Sequence, residues 1–287
     1  MIIKKLQVIL KSIFVILVLS YNVISISYAK DTEIKKVEVK TFTFSPVPQF
    51  EQRKLFSIWS PILEKLEEKT GHKFEFVGSK DINLFGKKLK YGEYDISYAN
   101  PFQTLVANKE QGYTPLIRSG KKKLQGIIVS NKKNKNSKIE DLDGKVIAFP
   151  DANALAASML LRAELKRIHD IDFKPIYVKT HSSVYLHVAK NFAYAGGGVN
   201  RTFKQQKDNI KDKLEIIYKS KKVSSHPILV HPRIGKETID IIQNALLEIN
   251  KENPELFREA SMEEPIKTSI KDYVSLHSLK LEEFYVH

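Results

Sequence analysis

The feature that most restricts the fold is a regular alternation of strand-like and helix-like segments. Residues 37–44 alternate apolar and polar side chains as a strand does, and residues 45–48 break that pattern with two prolines. A helical pattern follows over residues 55–70, Gly71 ends it, and residues 73–77 have the pattern of a second strand. Such β-α-β units build parallel sheets, so the sequence predicts an α/β fold.

The alternation continues through the rest of the chain. A second series of units begins near Ile139, and the sequence contains no internal repeat. The predicted helices after the first unit cover residues 82–91, a segment starting at Asn100-Pro101, and residues 153–169 and 182–190. The predicted strands cover residues 94–98, 126–130, 176–178 and 192–195, and residues 139–149 begin the second series of units.

The amino terminus has the pattern of a secretory signal peptide. Lys4, Lys5 and Lys11 precede an apolar run over residues 12–20, and small residues follow at Ser27 and Ala29. We therefore expect cleavage after Ala29 and a mature chain that begins at Lys30 in the periplasm. The alternative is an uncleaved signal anchor, but the apolar run is shorter than the ~20 residues that a bilayer span requires.

The chain contains no cysteine, which excludes disulfides, thiolate metal sites and a lipid anchor on cysteine. Removal of 29 residues from the 287 leaves about 258, enough for two domains of ordinary size. Stability must therefore come from ordinary apolar cores.

The chain is basic, with a formal net charge of +14 that falls to +11 once the three leader lysines are removed. A basic chain can bind nucleic acid or anionic lipid. The lysines are spread along the sequence, however, with one cluster over residues 121–138, and no nucleic-acid-binding motif is present. We interpret the excess as a solvated surface, the alternative being mild steering of an anionic ligand, and we expect no nucleic-acid partner.

The order of four motifs resembles one protein family. Residues 94–101 (YDISYANP) and 139–149 (IEDLDGKVIAF) come first, followed by Thr180-His181 and then by residues 195–199 (AGGGV). Over residues 37–265 the chain is similar to the phosphate, phosphite and phosphonate ABC-transporter substrate-binding proteins, the PhnD-like periplasmic group. The motif over residues 139–145 is shared by many binding proteins, whereas its combination with the others is more specific.

This resemblance implies a type II periplasmic binding fold, with two Rossmann-like α/β lobes joined by a two-stranded hinge. The expected divisions are a signal peptide over residues 1–29, the first lobe over 30–124 and 226–287, and the second lobe over 125–225. The solute would bind between the lobes, in a cleft that closes by hinge motion. A monomer that works with an ABC permease is implied.

Ligands of parallel sheets bind beyond the carboxyl ends of the strands, where helix amino termini attract anions. Three such termini are expected to face one cleft, those after Tyr98, after Pro150 and after Thr180. Tyr98 and Asn100 are the candidates on the first lobe. Trp59 is expected to pack within that lobe.

On the second lobe, the family places a hydroxyl-rich Ser-Thr-Ser turn where this chain has Ala154, Leu155 and Ala156. Backbone N–H groups remain, but the hydroxyl donors are missing, so the identity of the solute stays open. Asn153 is a candidate either for ligand contact or for a helix N-cap.

The remaining candidates follow two later strands. The family places a ligand-contacting histidine at His181, and the Ser182 and Ser183 hydroxyls are candidates to contact the solute beside it. Either Ser182 or Ser183 is also expected to cap the helix that follows. Tyr185 would contact the solute or pack in the core. Gly196 and Gly197 would form a turn or allow close approach to a ligand.

Three function classes are considered for this chain. The first is the receptor of an ABC importer for a small oxyanion or related polar solute, and the second is a ligand-binding partner of a membrane sensor histidine kinase. The third, a periplasmic enzyme, is disfavoured because the sequence has no Gly-x-Ser-x-Gly elbow, His-Glu-x-x-His helix or Walker loop. Scattered histidines, including His226 and His231, disfavour a zinc site, and no cofactor is expected.

Overall fold

The computed structural model describes residues 38–135 and 137–286, so the predicted signal peptide lies outside the described residues. Two mixed sheets carry the fold. The strands are β1 Thr41–Pro46, β2 Lys73–Phe76, β3 Ile96–Tyr98, β4 Thr114–Ser119, β5 Gly126–Asn131, β6 Val146–Phe149, β7 Lys174–Tyr177, β8 Ala195–Val199, β9 Leu214–Lys219, β10 Pro227–Val230 and β11 Pro265–Lys267. Their orders are β11-β4-β10-β3-β1-β2 in the first sheet and β7-β6-β8-β5-β9 in the second.

Helices flank both sheets and confirm the α/β class. The α-helices are α1 Gln52–Thr70, α2 Ile82–Lys90, α3 Pro101–Gln111, α4 Leu160–Arg167, α5 His181–Ala189, α6 Asn200–Lys204, α7 Asp208–Lys211, α8 Lys236–Glu252 and α9 Pro254–Glu259. Among the described residues, no helix combines the length and the apolar character needed to cross a bilayer.

The first β-α-β unit is confirmed, with β1 parallel to both β2 and β3. Gly71 ends α1 in the left-handed conformation at φ 70°, as its position predicts. The predicted limits of β1 were wrong at both ends. The strand begins at Thr41, which pairs with the first residue of β2, and it continues through Ser45 and Pro46 because these residues pair with β3.

Trp59 packs inside the first lobe, as expected. Its ring lies 4.8 Å from the Phe44 ring and 4.9 Å from the Tyr98 ring, measured between centroids, and the side chain is almost fully buried. Phe44 and Tyr98 lie on neighbouring strands, so one aromatic cluster joins α1 to the strand ends of the first sheet.

Two chain segments connect the sheets, β4 to β5 and β9 to β10. They touch at an isolated antiparallel bridge between Leu124 and Val223, with paired backbone hydrogen bonds of 2.9 Å in both directions. This is the two-stranded hinge of a type II periplasmic binding fold. The limits of residues 125–225 for the second lobe remain a prediction, although β5 to β9 lie within them.

The segment after β6 differs from the predicted helix over residues 153–169. The chain first forms one π-helical turn, Leu155–Met159, in which Ala154 O accepts from Ser158 N at 2.8 Å and from Met159 N at 3.1 Å. Helix α4 continues from it. Asn153 does not cap this helix, because its side chain exchanges two hydrogen bonds with the backbone of Val286, at 2.7 and 2.8 Å.

The C-terminal segment contacts both lobes. On the second lobe, the buried Arg162 guanidinium donates to Ala152 O at 2.7 Å and to Phe284 O at 2.6 Å. On the first lobe, the Phe102 ring lies 5.4 Å from the Tyr285 ring. Arg162 therefore fixes the turn before the π-helix to the C-terminal segment.

We expect Arg162→Met to lower the free energy of unfolding by about 2 to 3 kcal/mol, because two partly buried carbonyls lose a charged donor. Chemical denaturation of both forms measures the change. The matched control is Arg167→Met, whose half-exposed guanidinium also bonds the C-terminal segment, at Leu279 O and Lys280 O. Water can replace that donor, so a loss below about 1 kcal/mol is expected. Equal losses in the two variants would contradict this role for Arg162.

Candidate functional site

A large cleft of about 960 Å³ lies beside the hinge. Residues of both lobes line it, including Gln49 and Tyr98 from the first and Val199 and Arg201 from the second. Its size falls within the range of small-molecule sites in proteins.

A second, much smaller cavity of about 20 Å³ adjoins the cleft. The two share four lining residues, namely Gln49, Leu124, Val199 and His226. A volume of this size holds about one water molecule. Because Ala154, Ala156 and Ala157 of the second lobe also belong to the buried core cluster of the first, the lobes are closed around this cavity.

The three helix starts predicted to face one cleft meet at the small cavity. Asn100 lies there before α3, Ala154 to Ala157 lie in the π-helical turn, and His181 is the first residue of α5. First-turn N–H groups of a helix have no partner within the helix, so this cavity is bordered by backbone donors. The Asn100 side chain already accepts from Phe102 N and Gln103 N, both at 3.0 Å, in a capping box.

Arg201 supplies the positive charge at the junction of the two lobes. It is the second residue of α6, directly after β8, and its half-buried guanidinium donates to Glu259 O at 2.5 Å and lies 5.0 Å from the centre of the Phe50 ring. Within the described part of the chain, no carboxylate oxygen lies within 4 Å of it to form an ion pair. A partly desolvated cation without a carboxylate is unusual, since buried charges are normally paired.

His181 belongs to a buried hydrogen-bond network in the second lobe. Its Nδ1 lies 3.2 Å from Thr202 Oγ1, and that hydroxyl donates to Val199 O at 3.0 Å. The Tyr185 hydroxyl lies 2.7 Å from the same Thr202 oxygen. This network holds the imidazole through Nδ1, and Nε2 has no hydrogen-bond partner among the described residues.

His226 faces the site from the first lobe, just before β10. Its ring stacks on Tyr98, with centroids 5.2 Å apart and planes 24° apart, and its Nε2 lies 3.2 Å from Gln49 Nε2. Because an amide nitrogen only donates, Nε2 is the accepting nitrogen of a neutral imidazole. The proton then lies on Nδ1.

Both histidines are neutral near pH 7. Burial, reinforced by the Arg201 guanidinium, lowers the pKa of His181 to about 4. Burial, followed by the charges of Arg201 and His181, lowers the pKa of His226 to about 3. Burial also raises the pKa of Tyr98 to about 12, so its phenol stays protonated and can donate a hydrogen bond.

Several predicted site residues have other partners, and all of these except Leu155 line neither of the two cavities. Thr180, rather than Ser182 or Ser183, caps α5, because its Oγ1 accepts from Ser183 N at 3.0 Å. Ser182 accepts from Gln206, and Ser183 accepts from the Thr180 hydroxyl. Tyr185 is fully buried in the network described above, and Asn153 holds the C-terminal segment. Leu155 lines the small cavity and packs in an apolar cluster.

The glycines near residue 196 lie inside β8 rather than in a turn after a strand. They allow elements of the protein to approach one another. A Cβ at Gly196 would lie 2.5 Å from Val184 Cγ1, and one at Gly197 would overlap the carbonyl oxygen of Ala157. At Gly198 it would overlap the Tyr185 hydroxyl.

Sequence reasoning missed Arg201, Gln49 and His226 as members of the site. All three lie near strand ends. Gln49 and Arg201 come three and two residues after the carboxyl ends of β1 and β8, where the carboxyl-end rule applies. That rule, applied to every strand, would have found Gln49 and Arg201. His226 precedes an antiparallel strand, so the rule does not cover it.

The fold is that of periplasmic solute-binding proteins. A crystal structure of a binding protein component of an ABC phosphonate transporter from Pseudomonas aeruginosa matches with a TM-score of 0.77 and 13% identity, over 86% of this chain and 88% of that one. A structure of PhnD1 from Prochlorococcus marinus in complex with methylphosphonate matches with a TM-score of 0.76 and 12% identity, over 86% and 99%.

The family is shown by sequence. Residues 44–273 match the family model described as ABC transporter, phosphonate, periplasmic substrate-binding protein, so the chain belongs to that family. The phosphate-import protein PhnD of Mycolicibacterium smegmatis is 23% identical over 228 residues, which are 70% of this chain and 69% of that protein. Proteins of this family bind small solutes and work with an inner-membrane permease.

The low pKa values of the two histidines predict a specific acid sensitivity. The unfolded chain takes up protons near pH 6.5, whereas the folded protein resists protonation until about pH 4 at His181 and pH 3 at His226. The free energy of unfolding should therefore fall as pH drops from 6.5 to 4, by about 3 kcal/mol for His181 alone.

Denaturation at several pH values, in a buffer free of oxyanions, measures this dependence. The double variant His181→Gln/His226→Gln should lose much less stability than the natural protein between pH 6.5 and 4. The control is His277→Gln, which removes a solvent-exposed imidazole outside the site. Parallel pH profiles for the natural protein and the double variant would show that the site histidines do not cause the acid sensitivity.

Proposed function

We propose that this chain is the solute receptor of an ABC importer and that it captures a small oxyanion, of the phosphonate, phosphite or phosphate type, between its lobes. The observation that carries the proposal is the Arg201 guanidinium, which lies in the cleft with no carboxylate partner among the described residues. An anion placed there would give that cation its missing counter-charge. Arg is well suited to this because its planar fork matches an oxyanion.

The groups around Arg201 support an anion rather than a cation. Tyr98 and the neutral His226 can each donate one hydrogen bond, and His181 Nε2 can accept one from a protonated oxygen of the oxyanion. Backbone N–H groups border the small cavity from the π-helical turn. Protonated histidines would add charge, so binding of an anion should raise both pKa values. The proposed ligand-contacting set is Gln49, Tyr98, Asn100, Ala154, Ala156, His181, Arg201 and His226.

The closed arrangement fits capture by hinge motion. The small cavity holds about one water, so a phosphonate group can enter it only if the lobes separate. Leu124 and Val223 are the hinge contact about which the lobes would open. We propose that the solute enters the open cleft and that closure brings His181 and Arg201 onto its anionic group.

The cellular setting is part of the proposal. We propose that the signal peptide is cleaved after Ala29, that the mature chain acts in the periplasm as a monomer, and that it delivers its solute to an inner-membrane ABC permease. Detection of an uncleaved chain in membrane fractions by intact mass would contradict the cleavage.

We expect Arg201→Gln to weaken the binding of phosphate, phosphite and methylphosphonate by about tenfold to a hundredfold, because one charge-assisted contact contributes about 1.5 to 3 kcal/mol. Isothermal titration measures the dissociation constants. The control Arg53→Gln removes the same charge from an exposed position on α1 and should leave them unchanged. Equal dissociation constants for the two variants, or no oxyanion binding by the natural protein, would overturn the proposed function.

A second test concerns the missing Ser-Thr-Ser turn. Ala154 and Ala156 line the small cavity with methyl groups where the family has hydroxyls. The double variant Ala154→Ser/Ala156→Ser should bind phosphate or methylphosphonate more tightly, since each new hydroxyl can donate to a bound anion. The control Ala152→Ser places a hydroxyl just outside both cavities. Unchanged titrations for the double variant would show that the turn does not contact the anion.

A further inference from the structure

The large cleft is strongly basic on its hinge side. Eight of its lining side chains are cationic and two are acidic, so its local charge far exceeds what one small oxyanion would balance. The cations are Lys121, Lys122, Lys123, Arg201, Lys204, Lys219, Lys222 and Arg258, and the acids are Glu259 and Glu263.

Neighbouring carboxylates neutralise two of these lysines. Lys121 Nζ lies 3.1 Å from Glu264 Oε1, and Lys122 Nζ lies 2.6 Å from Glu263 Oε1. In the described parts of the chain, the other cations of the lining have no carboxylate oxygen within 4 Å. Arg201 is assigned above to the first anionic group, which leaves Lys123, Lys204, Lys219, Lys222 and Arg258 unbalanced.

These unbalanced cations come from three parts of the fold. Lys123 lies on the hinge connection between β4 and β5, while Lys219 ends β9 and Lys222 follows it on the other connection. Lys204 ends α6 of the second lobe, and Arg258 lies on α9 of the first lobe. A solute held at Arg201 would therefore face cations from the hinge and from both lobes.

We infer that the hinge half of the cleft is a second anionic subsite, and that the solute carries a carboxylate or a second phosphate group a few bonds from its phosphonate or phosphate group. This inference rests on the proposed function, because it takes the first group to lie at Arg201, His181 and His226. The cleft volume of about 960 Å³ leaves room for such a substituent. A cationic substituent, such as the ammonium of an aminoalkylphosphonate, would be repelled by the same wall.

Exposed lysines can also act by attracting any anion from a distance. That effect raises association rates for all anionic solutes and falls steeply with salt. Direct contact at a subsite has a different signature, because it favours only a solute whose second group reaches the lysines. The comparison of two solutes at fixed salt separates the two effects.

The test is isothermal titration of the mature protein with phosphonoacetate, methylphosphonate and 2-aminoethylphosphonate at one pH. The salt concentration is about 150 mM, at which the Debye length is about 8 Å. We expect phosphonoacetate to bind at least tenfold more tightly than methylphosphonate, and 2-aminoethylphosphonate to bind more weakly than methylphosphonate. In the variant Lys219→Gln/Lys222→Gln, the preference for phosphonoacetate should fall to less than threefold, with methylphosphonate affinity changed less than threefold.

The matched control is Lys166→Gln/Lys174→Gln, which removes the same charge from exposed positions of the second lobe outside the cleft. It should keep the full preference, and thermal unfolding should show that both double variants are folded. Equal affinities for phosphonoacetate and methylphosphonate in the natural protein would overturn the second subsite while leaving the proposed function intact. A preference that survives in the Lys219/Lys222 variant would also overturn it. If neither phosphate nor any of the three phosphonates binds, the proposed function itself is contradicted.

Discussion

The close approach of protein elements to strand β8 is the constraint on which the rest of the site depends. Gly197 lets the Ala157 carbonyl lie against one face of the strand, and Gly198 makes room for the Tyr185 hydroxyl. Tyr185 then reaches Thr202, which holds His181, and the same strand ends where α6 places Arg201. A Cβ at Gly197 would displace the Ala157 backbone, which borders the small cavity, and one at Gly198 would displace Tyr185, which supports His181 through Thr202. These two residues without side chains thus set the positions of residues that have the relevant chemistry.

The electrostatics of the closed site favour a guest with negative charge. Burial is the main cause of the low pKa values of His181 and His226, and the Arg201 guanidinium lowers them further, so both imidazoles stay uncharged. Among the described residues, no carboxylate forms an ion pair with Arg201. Under the proposed function, an anion would supply the missing counter-charge, so closure would be coupled to its arrival. The hinge supplies the motion, and the anion supplies the differential stabilisation that population shift requires.

The sequence predicted much of the fold and less of the site. Strand and helix order followed from hydrophobic periodicity, and the convergence of Asn100, Ala154 and His181 followed from where parallel strands end. The roles of Asn153 and the glycines could not be predicted, because they depend on Val286 and Tyr185, which are distant in sequence or on another element. His226 was missed for a similar reason: its partners Tyr98 and Gln49 meet it only through the antiparallel pairing of β10 with β3.

The alanine turn and Arg201 are best understood together. A hydroxyl-rich turn would hold an anion with many neutral donors. This chain instead has the backbone of Leu155 to Ala157 at the small cavity and the Arg201 guanidinium in the adjoining cleft. Neutral donors at a helix start discriminate by geometry, because each N–H must meet an oxygen at hydrogen-bond distance. A guanidinium and a wall of lysines respond chiefly to charge, which is less demanding of shape. Under the proposed function, the backbone donors and the basic groups together would select a solute by its net charge and by the distance between its anionic groups. The hinge side of the cleft is more basic than a lone oxyanion requires.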